Sequence, residues 1–183
     1  MPLMHSVKKL ANNLNITILA ILFVLFVFFL FPVYQAQITK IAGESIATLD
    51  GRFSYTLADV NLVFNKMTED GRSVYRVISG VLDMFYPLIY GVLFFLLLIR
   101  ATNSIPNNKF KLCSLLPLIA MLFDYIENIG VLRMLDAFPA ITNSQVVFNS
   151  FITTCKWVFV FLTLISVVIL AAYNFFSPKE LRN

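Results

Sequence analysis

Charged side chains interrupt segments that are otherwise apolar enough to span a membrane, and this restricts the chain more than any other feature. Asp83 lies in the second such segment, Asp124 and Glu127 lie in the third, and Lys156 lies in the fourth. A charge at the depth of the hydrocarbon costs at least about 2.5 kcal/mol on insertion scales, so such residues face a protein interior or a water-filled cavity. These positions mark where a functional site is to be sought.

Composition excludes an ordinary soluble domain. The 183 residues are 59% hydrophobic and 13% charged, whereas globular proteins are about 45–50% apolar and about 25% charged. The net charge of +4 comes from basic residues scattered among the loops, so no nucleic-acid surface is expected. We expect one membrane domain over residues 1–183, in contact with the lipid bilayer.

Four apolar runs predict an all-α, four-helix transmembrane bundle. The predicted spans are residues 16–34, 77–99, 112–135 and 150–173, each near the roughly 20 residues that cross the hydrocarbon core. The first run is too long for the apolar core of a secretory signal peptide, and a bulky Tyr34 stands where a small residue would precede cleavage. The third span is the least apolar, and a re-entrant segment is the alternative there.

The polar segment 35–76 is predicted to form an external loop that contains a short amphipathic surface helix. Thr56 and Asp59 have the spacing of a helix N-terminus with its cap. The apolar residues that follow recur at helical spacing, which predicts a helix lying on the membrane surface. Thr68, followed by two acids, predicts the cap of the next helix.

Orientation follows from the basic residues near the span ends. Both termini are predicted to be cytoplasmic, in a bacterial inner membrane, and residues 35–76 are predicted to be external. The basic residues on the cytoplasmic side would be Lys8, Lys9, Arg100, Lys109, Lys111, Lys179 and Arg182.

The alternating directions of the helices predict that the buried charges meet in the outer half of the membrane. With a rise of 1.5 Å per residue, Asp83 would lie about 9 Å from the start of its span and Asp124 about 18 Å from the start of the next. Each helix also presents its polar residues as a stripe on one face. The candidate ligand- or ion-binding residues are Asp83, Asp124, Glu127, Asn128, Lys156, Tyr86, Tyr90, Tyr125, Arg72 and Arg76.

Three acids against one lysine leave two surplus negative charges at depth. Three arrangements would balance this surplus: one carboxyl group is protonated, the site holds a cation, or Arg72 and Arg76 supply positive charge. The sequence does not choose among them. The structural alternative is that the polar residues only join the helices, at about 0.6 kcal/mol per hydrogen bond. The three tyrosines favour packing roles over chemistry.

The sequence predicts no cofactor and no metal site, and it assigns no catalytic residue. The single histidine, His5, lies in the N-terminal tail, and there is no CxxC motif. Cys113 and Cys155 are predicted to lie near opposite faces of the membrane, too far apart for a disulfide.

Several short motifs resemble an uncharacterised family of small bacterial four-span integral membrane proteins, over roughly residues 45–175. The resemblance implies four spans and no established activity. It rests on Leu49-Asp50-Gly51-Arg52 with Tyr55-Thr56, Gly71-Arg72 with Tyr75, Asp83 with Tyr86-Pro87 and Tyr90, Asp124-Tyr125-Ile126-Glu127-Asn128, and Lys156-Trp157.

Three classes of function fit these observations. The first is an integral membrane protein whose buried acidic and basic site binds or transports a small cation, a proton or an amphipathic molecule. The second is a non-catalytic accessory subunit whose charges pair with a partner membrane protein or with a second copy of the chain. The third is an intramembrane acid–base enzyme acting on a lipid; it ranks last because no nucleophile–base arrangement stands out.

Overall fold

The computed structural model describes residues 9–103, 105 and 108–176. Five helices of at least ten residues fill most of these ranges, which contain no strand, and the predicted all-α class is confirmed. His5 and the basic residues at 8, 179 and 182 lie outside them. The helices are α1 (Asn13–Ala42), α2 (Leu57–Lys66), α3 (Thr68–Thr102), α4 (Phe110–Ala137) and α5 (Asn143–Phe176).

Four of these helices are able to cross a membrane by length and composition. α1, α3, α4 and α5 have 30, 35, 28 and 34 residues, and about 20 residues suffice for the hydrocarbon core. α1 continues to Ala42 and α3 begins at Thr68, so the helices extend into the predicted loop 35–76 from both ends. These dimensions fit an integral membrane protein that crosses the bilayer several times.

α4 and α5 share the most extensive contact, α3 packs against α4, and α1 packs mainly on α3. Glycine permits the closest approach. A Cβ atom on Gly130 of α4 would lie 1.8 Å from Asn149 Oδ1 on α5, and one on Gly91 of α3 would lie 3.0 Å from Met121 Sδ on α4. Small residues at these two positions allow the backbones to come together.

Residues 43–67, here called the cap segment, cover one end of α3, α4 and α5. α2 begins with the predicted capping box, in which Thr56 and Asp59 bind each other's backbone N–H groups. Hydrogen bonds from the Thr56 hydroxyl and the Thr56 backbone N–H to the Asp59 carboxylate lower the pKa of that carboxyl group. α2 is amphipathic, as predicted. Its apolar face packs on the protein core rather than on lipid, because Val60, Val63 and Phe64 contact the ends of the long helices.

The corner between α2 and α3 differs from the sequence prediction. Met67 occupies the cap position of α3, and Thr68 is the first residue of the helix rather than its cap. Thr68 has a φ of 57°, in the left-handed region that β-branched residues rarely adopt. A single residue between the two helices leaves too little chain for a wider turn, which explains this conformation.

Two π turns interrupt the long helices. Phe26–Leu30 lies in α1 and Ile78–Leu82 lies in α3. A π turn holds one residue more than an α-helical turn and is frequent at functional sites. Because each residue of an α-helix turns the chain by about 100°, the residues after a π turn face a different direction from the one that the regular period predicts.

Candidate functional site

Lys156 on α5 lies between two acids of α4. Its Nζ forms an ion pair with Glu127 Oε2 and lies 3.9 Å from Asp124 Oδ1. All three residues are buried, with at most 7% of their surface exposed. Charges at such positions are tolerated when they are paired, and the i, i+3 spacing of the two acids puts both on the same side of α4. The helices thus bring together three of the charges that the sequence singles out.

Asp83 lies beside this cluster on α3, directly after the π turn. Four residues further, Pro87 has no backbone N–H to offer to the Asp83 carbonyl group. Asn128 on α4 supplies the missing donor, with its Nδ2 2.9 Å from that carbonyl oxygen and 3.3 Å from Asp124 Oδ1. A proline inside a membrane helix is tolerated when a neighbouring side chain satisfies the freed carbonyl in this way.

A second group of hydrogen bonds connects Glu127 to the cap segment. Thr153 Oγ1 donates to Glu127 Oε1 at 2.6 Å and lies 3.3 Å from the hydroxyl of Tyr55, which accepts a hydrogen bond from Asn149 Nδ2 at 2.8 Å. Burial raises the pKa of Tyr55 to about 12, so this hydroxyl stays protonated near neutral pH. The backbone N–H of Tyr55 donates to Ser150 Oγ at 2.8 Å, which fixes this residue on α5.

Asp50 holds the cap segment over the buried charges. Its carbonyl oxygen lies 3.3 Å from Lys156 Nζ and 3.2 Å from Trp157 Nε1, so two side chains of α5 donate to it. Its carboxylate accepts a hydrogen bond from the Tyr75 hydroxyl at 2.7 Å, and that hydroxyl in turn accepts from the N–H of Leu49. One residue of the cap segment thereby contacts both α3 and α5.

A pocket of about 660 Å³ opens between α1, α3 and α5, beneath the cap segment. Its polar end is formed by Asp50, Asp83, Asp124, Lys156 and Gln35. The remainder of the wall is mainly aromatic and aliphatic. This volume lies within the range of about 300–1,000 Å³ that is usual for small-molecule sites. The apolar wall includes Phe23, Val27, Phe31, Tyr86, Tyr90, Phe94, Trp157, Val160 and Leu164.

Aromatic rings surround the side of the pocket next to Asp83. The ring of Tyr86 lies 4.9 Å from that of Phe31, 5.1 Å from that of Tyr90 and 5.9 Å from that of Phe23. The Tyr90 hydroxyl donates to Asp124 Oδ2 at 2.9 Å. The predicted tyrosines of α3 therefore lie at the junction of the polar end and the apolar wall.

Three other predicted residues have partners elsewhere. Tyr125 donates to the Met84 carbonyl oxygen at 3.0 Å and so joins α4 to α3. Arg72 donates to the Phe64 carbonyl oxygen at 2.7 Å and stacks on the Phe138 ring, while Arg76 pairs with Asp136 at the surface. The π turn at Ile78–Leu82 explains this separation, because it rotates the arginines away from the face of Asp83.

Four residues that touch the buried cluster or the pocket were not predicted as site residues. Asp50, Tyr55 and Tyr75 lie in or next to the segment that was predicted as an external loop, and Trp157 was not weighed separately from Lys156. The signal that was available is that all four belong to the short motifs that carry the family resemblance. Their contacts join parts of the chain up to 107 positions apart, which no local pattern reveals.

Acidic side chains outnumber basic ones in this region. Asp50, Asp83 and Asp124 line the pocket together with Lys156, and Lys156 already pairs with Glu127 behind it. Arg72 and Arg76, which the sequence offered as alternative sources of positive charge, bind the Phe64 carbonyl oxygen and Asp136 instead. Such a site is suited to binding a group that brings positive charge or hydrogen-bond donors.

Comparison of the chain with protein-family models, with curated proteins and with solved structures finds no match in any of the three. Interpretation of the pocket therefore depends on its own chemistry.

Proposed function

We propose that this protein binds an amphipathic molecule in the pocket between α1, α3 and α5. The observation that carries the proposal is the division of one cavity of about 660 Å³ into a charged end and a long apolar wall. Ligand sites are usually apolar cavities with a few polar groups that fix orientation. A small hydrated ion would make no favourable contact with the aromatic and aliphatic part of this wall.

The position of the pocket supports entry from the lipid phase. Its apolar wall is supplied on one side by α1 and on the other by α5. α1 packs mainly on α3, and α5 packs mainly on α4. The pocket therefore lies between α1 and α5, which have other main partners. Leu164 on the α5 side is 41% exposed, which is consistent with an apolar chain extending from the pocket toward lipid.

The test uses the only tryptophan of the chain, Trp157, which lines the pocket. Purified protein in nanodiscs is titrated with amphiphiles whose alkyl chains carry bromine, and quenching of the Trp157 fluorescence is recorded. We expect saturable quenching that an unbrominated amphiphile of the same structure reverses. Quenching that rises linearly and resists competition would instead report ordinary contact with bulk lipid and would refute the proposal.

A matched pair of variants on α5 separates the pocket from the lipid-facing surface. Val160→Phe fills part of the cavity, whereas Val158→Phe changes a residue that is 41% exposed on the same helix. We expect the first variant to weaken saturable binding by about tenfold or more, which corresponds to about 1.4 kcal/mol, and the second to leave it unchanged. Equal effects of the two variants would contradict a site in this cavity.

We also propose that both termini lie in the cytoplasm of a bacterium and that the cap segment faces outward across the inner membrane. The distribution of lysine and arginine supports this orientation. The test places single cysteines at Asp70, near the cap segment, and at Asn103, at the other end of α3, in a background without Cys113 and Cys155. A membrane-impermeant maleimide should label the first in intact spheroplasts and the second only after lysis; the reverse pattern would invert the topology.

A further inference from the structure

We infer that the polar end of the pocket selects a protonated amine as the head group of the amphipathic ligand. This inference rests on the proposed function and specifies the class of molecule that the same site takes. Three features of the polar end support an amine: the charges that line the pocket, one carboxylate oxygen without a hydrogen-bond partner, and the aromatic rings beside it.

The charges favour a cationic head. Lys156 is engaged by Glu127 and, at 3.9 Å, by Asp124. Asp83 and Asp50 face the same cavity, so an anionic head would add to a negative surplus at a depth where charges are poorly solvated. A positive head removes part of that surplus and compensates the burial of the carboxylates.

One buried acceptor of a pocket-lining residue has no donor. Asp83 is only 6% exposed and lines the pocket, and its Oδ2 has no hydrogen-bond partner among the described residues. A buried polar oxygen without a donor is costly and uncommon. An ammonium group offers three N–H donors, which is enough to bind this oxygen and a second acceptor of the same wall.

The neighbouring rings favour an organic ammonium over a metal ion. The rings of Tyr90, Phe23 and Phe31 each lie within 6 Å of the Tyr86 ring, centroid to centroid, and all four residues line the pocket with Asp83. Aromatic faces attract ammonium groups through their quadrupole. Within the described ranges, no three His, Cys, Asp or Glu side chains are placed to hold a metal.

A primary amine fits better than a quaternary one. The free Oδ2 of Asp83 accepts a hydrogen bond, which a trimethylammonium group does not donate. The aromatic rings by themselves would attract a primary ammonium and a trimethylammonium head group alike. The ligand class that the geometry indicates is therefore an amphiphile whose head group is a protonated primary amine.

The experiment compares four compounds with the same saturated chain, namely an alkylamine, an alkyltrimethylammonium, an alkanol and a fatty acid, as competitors of the brominated probe at Trp157. We expect the alkylamine to bind wild-type protein at least tenfold more tightly than any of the other three. In Asp83→Asn that preference should fall at least tenfold, because the carboxylate is lost at nearly constant shape. Asp136→Asn, which removes an exposed acid of α4, should retain the full preference.

The outcomes separate this inference from the proposed function. Saturable binding of all four compounds with equal affinity would overturn the amine head and leave an amphiphile site in place. Equal binding of the primary and quaternary heads would overturn the role of Asp83 Oδ2, as would an unchanged preference in Asp83→Asn. Absence of saturable binding for every compound would refute the proposed function itself. The wild-type comparison of head groups decides the inference even where Asp83→Asn does not fold.

Discussion

Pro87 leaves the carbonyl group of Asp83 without its helical donor, and Asn128 of α4 takes the place of that donor at 2.9 Å. The sequence shows each of these residues, and Asp83 and Asn128 were predicted as site residues. The relation between them was not predicted, because it depends on which helix lies against the open carbonyl. Charges inside apolar runs are visible in a sequence. The side chain that donates a hydrogen bond to a carbonyl group left open by a proline is not.

The first prediction tests this replacement of a donor. Asn128→Ala should lower the free energy of unfolding by about 1–3 kcal/mol, because it leaves a buried carbonyl unpaired. Pro87→Ala restores a backbone N–H at the right position, so Asn128→Ala should cost less in that background. The measurement is a double-mutant cycle by unfolding in mixed micelles. A cost that is identical in both backgrounds would mean that Asn128 acts through Asp124 alone.

The second prediction concerns the buried ion pair. Lys156→Met should lower the free energy of unfolding by about 3–5 kcal/mol, since it removes the cation from Glu127 and Asp124. Adding Glu127→Gln should recover part of the loss. The control is Lys66→Met, whose Nζ lies 2.7 Å from Glu44 at the surface and should cost less than about 1 kcal/mol. Similar losses for the two lysine variants would contradict the burial argument.

At the scale of elements, hydrophobic patterning located the helices and underestimated the length of α1. α1 continues to Ala42, where the cap segment packs against it, and local hydropathy does not show such a contact. The start of α3 at Thr68 was indicated by the hydroxyl and the two acids there. The π turn of α3 changes the face that Arg72 presents, so an analysis by regular period placed that residue on the wrong side. The bounds and the facing of a helix are predictable where one of its faces contacts lipid. They are less predictable where contact with a neighbouring element determines them.

The third prediction tests the contact between α4 and α5. A Cβ atom on Gly130 would lie 1.8 Å from Asn149 Oδ1, so Gly130→Ala has to expel a side chain that donates to Tyr55 and to the Glu127 carbonyl oxygen. We expect a loss of about 1–3 kcal/mol. Gly80→Ala is the control, because its Cβ would meet Leu132 at an ordinary 3.6 Å. The pair is compared by thermal unfolding, and equal melting temperatures would contradict the close approach.

The whole molecule is layered along the bundle axis. At one end the cap segment and the helix ends form an apolar core that includes Leu49, Phe64 and Ile38, the charged residues lie next, and a smaller apolar cluster with Leu98 and Leu170 lies near the opposite end. The alternation of helix directions was enough to predict that the charges meet at one level. The closure of that level by Asp50 and Tyr55 required contacts across about a hundred positions and was beyond sequence reasoning.

The fourth prediction addresses the attachment of the cap segment. Tyr75→Phe removes one hydroxyl that donates to the Asp50 carboxylate and accepts from Leu49. We expect faster amide hydrogen exchange over residues 46–55 by mass spectrometry, with α4 unchanged, because local opening is governed by the contacts of the segment that opens. Tyr125→Phe, whose hydroxyl joins α4 to α3, should leave exchange in 46–55 unaltered. Uniform acceleration in both variants would indicate general loosening instead.

The π turn between Arg76 and Asp83 contains one residue more than a regular helix would hold there. Removing one residue from Ile78–Leu82 would let α3 continue as a regular α-helix with its two halves in nearly their present directions, because the π turn already absorbs the angle of about 100° that one α-helical residue adds. An insertion at the same point has no such reserve and would turn the arginines by about 100° relative to Asp83. This part of α3 therefore accepts a shorter chain and not a longer one.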